Sequence, residues 1–294
     1  MDINYSGDNS HGVFRTPKGK GPFPAVLAVG GSDGGTPQYL SDLLVPEGFA
    51  CLSLAYWATP QTQPWFTDIP LERVEHGLRW LIDRPETKTH EGRVALAGIS
   101  KGGELALLVA ATFSDLVGPV VAYTPSSVVW QGFDLTLPPG ETRSSWTFEG
   151  KPLPYVSSPP EVGPGQSGKG VAWLPIMEAG LQNTEAVNAA MIAIEQCAGP
   201  VLVVSGGDDH VWPTTRMCQM LTKRMAGHGR GDEIIHLNYP KAGHLLFPYS
   251  RPADTQVPDM PTDYGGDPDA DAAAHADAWP SVIRCLRAKD SILP

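Results

Sequence analysis

Five residues, Gly98-Ile99-Ser100-Lys101-Gly102, carry the chain's clearest chemical signal. They follow the apolar run Val94-Ala95-Leu96-Ala97 and precede Glu104-Leu105-Ala106-Leu107-Leu108, which has a helical pattern. A serine on a sharp strand-to-helix turn projects its hydroxyl above a sheet. Glycines two before and two after it are needed because the turn leaves no room for a Cβ. A hydroxyl is a weak nucleophile at neutral pH, so it requires a histidine base that is itself oriented by an acid. Both types occur later in the chain, each after an apolar run. Gly206-Gly207-Asp208-Asp209-His210 follows Val201 to Val204, and Lys241-Ala242-Gly243-His244 follows Ile234 to Leu237. His244 is the expected base. His11, His76, His90, His210, His228, His236 and His275 lack this placement and read as structural or exposed. Asp208 and Asp209 are not separable by local physics, since either carboxylate could orient the imidazole.

Such a nucleophile also needs N–H donors for a developing oxyanion. One is expected from the backbone of Lys101, at the helix start, and another from Gly31, Ser32 or Asp33 in the loop Gly30-Gly31-Ser32-Asp33-Gly34-Gly35. That loop lacks the Lys-Ser/Thr ending of a phosphate-binding loop, and no Gly-x-Gly-x-x-Gly dinucleotide fingerprint is in place. The Lys101 side chain is a cation where the helix macrodipole disfavours one. Either an anionic substrate or an ion pair with Glu104, three residues on, accounts for it.

The elements that must position these residues are legible as alternating runs. Buried strands are expected at Ala25 to Val29, Phe49 to Ala55, Val94 to Ile99, Val120 to Tyr123, Val201 to Val204 and Ile234 to Leu237. Helices are expected between them: one opening at Thr36-Pro37, one with Pro70 as its first residue and Leu71, Val74, Leu78 and Leu81 on one face, then Gly102 to Phe113, Thr214 to Met225, and Asp271 to Arg287. Strands alternating with helices predict one α/β domain over 1–294, with a mostly parallel sheet covered on both faces. From about 130 to 175 the alternation stops in a stretch rich in proline, glycine, serine and aromatic residues. It reads as a lid-like insertion over the sheet's C-terminal edge, with Trp130, Trp146 and Trp173 shaping a pocket for an apolar chain or ring.

With 41% hydrophobic and 18% charged residues, the 294-residue chain excludes disorder and collagen. A net charge of −11 argues against nucleic acid and anionic membranes as partners. Much of the acid is local, at Asp254, Asp259, Asp263, Asp267, Asp269, Asp271 and Asp277, and around Asp267 to Asp271 a solvated helix start is expected. Cys51, Cys197, Cys218 and Cys285 have no metal-ligand or redox spacing, which predicts reduced thiols in a cytoplasmic protein. The N-terminal residues carry no export signal, and Ser291-Ile292-Leu293-Pro294 is no peroxisomal or anchor signal. No metal or redox cofactor is implied.

The segments Gly98-Ile99-Ser100-Lys101-Gly102-Gly103-Glu104-Leu105, Gly207-Asp208-Asp209-His210-Val211-Trp212, Ala226-Gly227-His228-Gly229-Arg230, Tyr239-Pro240-Lys241-Ala242-Gly243-His244, Tyr264-Gly265-Gly266 and Asp277-Ala278-Trp279 together resemble a known family. It is the catalytic domain of acyl-CoA thioesterases and bile acid-CoA:amino acid N-acyltransferases, matched in order from about Pro22 to Leu286. The resemblance implies an α/β-hydrolase fold, Ser100 as nucleophile, His244 as base, and Asp209 as acid by its match to the second aspartate of the family's Asp-Asp-His segment. Conjugating members carry cysteine at the nucleophile and hydrolases serine, so Ser100 implies water as acceptor. Larger members carry a β-sandwich domain before this one, and the residues before Ala25 are expected to be too few for it. The expected activity is cleavage of an acyl thioester, acyl-CoA-like, or ester through an acyl-enzyme. The expected partner is a small-molecule acyl substrate, CoA- and carrier-bound forms included. Two alternatives stay open: an acyltransferase or cyclising thioesterase, and a hydrolase-fold ligand-binding protein without turnover.

Overall fold

In the computed structural model, residues 2–288 are described, so Ser291 to Pro294 lies outside the described residues. Eight strands build the main sheet: β1 (Asp2–Gly7), β2 (Ser10–Arg15), β3 (Phe23–Val29), β4 (Ala50–Ala55), β5 (Val94–Ile99), β6 (Val117–Tyr123), β7 (Val201–Gly206) and β8 (Ile234–Tyr239). Their order is β1-β2-β4-β3-β5-β6-β7-β8, parallel from β4 onward, and a two-residue strand, Thr87–Lys88, pairs with β3. The mostly parallel sheet is as expected.

Strands β4, β5, β6 and β7 are buried along their whole length, which explains why they read as continuous apolar runs rather than alternating ones. Alternation survives in which core each side chain joins. In β3, Leu27 and Val29 pack with α2 (Glu72–Ile82), α3 (Lys101–Thr112) and, further along, α6 (Thr214–Gly227), which follows α4 (Leu174–Gly180) and α5 (Thr184–Ala190). Val26 and Ala28 point the other way, to α1 (Gln38–Leu44) and α7 (Pro268–Arg287). Two apolar layers therefore clamp the sheet.

Three expectations need correction. The chain before Ala25 is not a plain lead-in: β1 and β2 form an antiparallel hairpin whose second strand pairs antiparallel with β4. Its signal lies in the turn, where Asp8-Asn9 separates the strands and Asn9 adopts φ 48°, a left-handed value that asparagine tolerates. Pro70 does not begin a helix. Ile69–Pro70 pairs with Trp146–Thr147, which draws the middle of the excursion onto the sheet's side, and α2 starts at Glu72. Helix α7 starts at Pro268 rather than Asp271, because Asp267 caps it by accepting from the N–H groups of Asp269 and Ala270. Among the described residues no helix is long and apolar enough to cross a membrane.

At the β5–α3 junction the backbones approach more closely than side chains allow. A Cβ on Gly102 would lie 2.3 Å from the Gly30 carbonyl oxygen and 2.5 Å from that of Val29. One on Gly98 would lie 2.1 Å from the Gly102 carbonyl oxygen. Alanine exceeds glycine in helix propensity by about 1 kcal/mol, so propensity alone makes Gly102→Ala stabilising. The steric clash reverses the sign, at a cost of about 1–3 kcal/mol. The expected outcome by calorimetry is a Tm lowered by several degrees; an unchanged or raised Tm would refute the close approach.

Candidate active site

Ser100 stands between β5 and α3 with φ 55° and ψ −122°, a conformation L-residues rarely hold. Such backbones cost about 1–3 kcal/mol and persist only where their surroundings over-determine them. Here the Ser100 N–H donates to the Tyr123 carbonyl at 2.9 Å, and its own carbonyl accepts from the Glu104 N–H at 3.0 Å.

Ser100 Oγ lies 2.9 Å from His244 Nε2, and His244 Nδ1 lies 2.8 Å from Asp209 Oδ2. All three residues are buried. Asp209 also accepts from the N–H groups of Val211 and Trp212, at 2.8 and 3.2 Å, and from the Thr214 hydroxyl. A carboxylate oxygen accepts only, so the Nδ1 proton belongs to the imidazole, and Nε2 is left to accept from Ser100. Thus the structure separates the two aspartates. The Asp208 carboxylate turns away, accepting from the Gly266 N–H at 3.0 Å and lying 3.3 Å from His210 Nε2.

His244 is fixed from several sides. His244 donates its N–H to the Tyr264 carbonyl at 2.8 Å, its carbonyl accepts from the Thr124 hydroxyl, and its ring stacks on Tyr264 with centroids 6.2 Å apart. Asp271, from the first turn of α7, accepts from the neighbouring Gly243 N–H at 2.7 Å. That helix start is therefore more than a solvated one, and burial raises the Asp271 carboxyl above its ordinary range. None of Tyr264, Thr124, Thr214 and Asp271 was assigned a site role from sequence. Tyr264-Gly265-Gly266 was visible as a motif, but its task of packing against Gly243 is a tertiary contact.

A cavity of about 270 Å³ opens at Ser100. Gly31, Ser32, Asp33 and Lys101 line it together with Trp57, Phe66, Trp212 and Tyr264. A Cβ on Gly31 would come within 3.1 Å of the Ser100 Cβ, so that loop's backbone runs directly beside the hydroxyl. The Asp33 carboxylate is turned aside, accepting from the Tyr249 hydroxyl at 2.7 Å. Trp130 and Trp173 line the cavity, with Gln131, Gly132, Phe133, Ser158, Ile176 and Met177 from the same excursion. Trp146, expected at the pocket, is fully buried away from it, donating from Nε1 to Glu104 Oε1 at 2.8 Å. Its indole N–H satisfies a buried carboxylate, a demand that its spacing could not reveal. The Lys101 ammonium reaches the same oxygen at 2.7 Å, so the ion pair accounts for this lysine. Burial pushes the Lys101 ammonium down and the Glu104 carboxyl up, each opposed by its partner.

His210, read from sequence as structural or exposed, bridges loops. Its Nδ1 lies 3.0 Å from Asp263 Oδ2, while its carbonyl accepts from the Leu174 N–H beside the cavity residue Trp173. The Ser167 hydroxyl and then His210 hold the Asp263 carboxyl down at about 2, and Asp263 in turn raises His210. A raised histidine stabilises fully below its ordinary pKa of 6.5, and that contribution is lost as pH rises through the raised value. His210→Ala is therefore expected to lower Tm more at about pH 6 than at about pH 9 in scanning calorimetry. Equal losses would mean the ionic contact contributes nothing.

Comparison with known proteins follows the same lines. The solved structure of a putative dienelactone hydrolase from Klebsiella pneumoniae subsp. pneumoniae MGH 78578 matches with a TM-score of 0.58 and 17% identity, covering 97% of this chain and 98% of that one. The fold is thus that of the α/β-hydrolases. Human mitochondrial acyl-coenzyme A thioesterase 2 is 30% identical over 281 residues, 91% of this chain and 53% of the relative. Rat acyl-coenzyme A amino acid N-acyltransferase 2 is 29% identical over 284 residues, covering 94% of this chain and 62% of that protein. The chain thus spans only about half to three fifths of these relatives. The family described as BAAT / acyl-CoA thioester hydrolase C terminal matches residues 69–289, a span that holds Ser100, Asp209 and His244, and the chain belongs to this family.

Proposed function

We propose that this chain hydrolyses an acyl thioester or ester through an acyl-enzyme on Ser100. The observation that carries the reading is the continuous contact from Ser100 Oγ through His244 to Asp209, at 2.9 and 2.8 Å, beneath an aromatic-lined cavity. Ser100 Oγ attacks the acyl carbon while His244 Nε2 takes the hydroxyl proton, and Asp209 stabilises the resulting imidazolium. The oxyanion receives backbone N–H groups from Lys101, which at the first position of α3 has no intrahelical acceptor, and from the loop Gly31, Ser32 and Asp33. His244 returns the proton to the departing sulfur or oxygen. Water then loses a proton to Nε2 as it attacks the acyl carbon, and collapse releases the carboxylic acid and re-forms the Ser100 hydroxyl.

The excursion after Trp130 acts as the lid of a single domain. The cavity walls it contributes support this, although the chain resumes the sheet only at Val201, later than the end expected near Pro175. The relatives named as acyl-coenzyme A thioesterases make a CoA thioester the first substrate to try, and a named N-acyltransferase relative makes an amino acid the alternative acceptor.

The test is thiol release from short, medium, long and aromatic acyl-CoA thioesters, beside an aryl ester, with and without an added amino acid. Ser100→Ala is expected to lower kcat roughly ten-thousand-fold or more. Turnover untouched by that change would overturn the reading, and amide product in place of free acid would move it to acyl transfer. Within the same panel, Trp173→Ala is expected to shift the chain-length optimum, because Trp173 lines the cavity. Trp146→Ala, by contrast, is expected to cost about 3–5 kcal/mol of stability, read by denaturant unfolding. An unchanged optimum in the first variant or unchanged stability in the second counts against these assignments.

A further inference from the structure

The cavity wall beside Ser100 carries a lysine whose charge is already matched. Lys101 lines the cavity and is 7% exposed, while Glu104, behind the wall, is 0% exposed. Lys101 Nζ donates to Glu104 Oε1 at 2.7 Å and lies 5.3 and 5.4 Å from the ring centroids of Phe66 and Trp146. The same Oε1 accepts from the Trp130 N–H at 3.2 Å and from Trp146 Nε1 at 2.8 Å. Glu104 Oε2 is buried with no hydrogen-bond partner among the described residues.

Helix physics does not ask for this pair. The cation opposes the macrodipole, and stripping both ions of water costs several kcal/mol that two apolar side chains would not incur. The other charged side chains on the lining are Arg251, 3.7 Å from Asp33 and 3.6 Å from Asp259, so this group carries one more carboxylate than cation and offers no free cation to an acyl carboxylate.

We propose that Glu104 is a specificity-determining residue: by neutralising Lys101 it leaves the wall beside Ser100 without a free cation, so the site takes an uncharged acyl group and rejects one ending in a carboxylate. This rests on the acyl-hydrolase reading above and names its substrate class. With the charge of Glu104 removed, the ammonium keeps no counter-ion in the wall, and a ligand carboxylate becomes one. Glu104→Gln is the discriminating change. Glutamine keeps an acceptor at Oε1 for Lys101, Trp130 and Trp146, and its amide nitrogen takes the place where Oε2 already lacks a partner.

The probes are the hexanoyl and 5-carboxypentanoyl thioesters of N-acetylcysteamine, whose leaving group is uncharged, so that only the acyl end differs in charge. Binding is read by tryptophan fluorescence in Ser100→Ala, since Trp57, Trp130, Trp173 and Trp212 line the cavity. Ser100→Ala is expected to bind the hexanoyl ester at least about tenfold more tightly. Adding Glu104→Gln is expected to move the ratio at least about tenfold toward the carboxylate. Adding both Lys101→Met and Glu104→Gln, which leaves no ion there, is expected to keep the ratio within about threefold of the Ser100→Ala parent.

A folded Glu104→Gln variant with an unchanged ratio overturns the proposal, as does a parent that prefers the carboxylate. If Glu104→Gln does not fold, the doubly neutral variant decides. A ratio near the parent's supports the proposal, and about tenfold weaker carboxylate binding shows that Lys101 was holding the anion and overturns it. Hydrolysis of the hexanoyl ester by the unmodified chain is followed separately. The expected binding ratios without Ser100-dependent turnover overturn the hydrolase reading and leave the charge rule standing. Ser100-dependent turnover with an unchanged ratio does the reverse.

Discussion

Everything around the site depends on one backbone residue held where L-residues rarely stay. At φ 55° Ser100 is displaced from both the strand before it and the helix after it, so its hydroxyl is presented above the sheet rather than packed within it. Strand β5 cannot shift to relax it, being hydrogen-bonded to β3 on one side and β6 on the other. Nor can α3 move away, since the carbonyls of Val29 and Gly30 lie against Gly102. The strain is retained because the sheet and the helix are each fixed by cores larger than the turn.

His244 and Asp209 face a related constraint, solved by loops rather than by a turn. The loops after β7 and β8 and the segment 263–266 meet backbone to backbone. A Cβ on Gly243 would lie 2.6 Å from the backbone of Gly265, and one on Gly265 would lie 1.7 Å from the Asp208 carbonyl oxygen. With side chains excluded there, the loops carrying Asp209 and His244 have one relative position, and Asp271 ties that assembly to α7. The two aspartates differ in partner: Asp209 faces the imidazole, while Asp208 and Asp263 hold His210 and through it the start of α4, beside the cavity residue Trp173.

Charge is handled by pairing rather than by exclusion. Glu104 is a junction, because one of its oxygens joins the helix carrying Ser100 to Trp130 and Trp146 of the excursion as well as to Lys101. An isolated buried carboxylate would be costly, and three donors on one oxygen make it tolerable while fixing where the excursion crosses the helix. The indole of Trp146 is thereby committed to the core and Trp130 to the cavity wall.

Much of this was legible in the sequence, and the reason is locality. Strands buried on both faces read as apolar runs, helices as periodic faces, and the turn at Ser100 needs its glycines at fixed offsets, so the parallel sheet, the serine and the histidine follow from short segments alone. The acid was narrowed to Asp208 or Asp209 by its place after a strand, and resemblance selected Asp209. Asp209 is the one that lies 2.8 Å from His244, because adjacent residues on a loop point different ways and only the fold says which faces the ring. The first hairpin was missed because it is too short and polar for periodicity. Trp146 was misread because an aromatic's spacing does not say whether a buried carboxylate awaits its N–H. What tertiary structure alone decided is which groups meet across long stretches of chain: Tyr264 and Asp271 behind His244, Asp263 beside His210, and the excursion's tryptophans on either side of the wall.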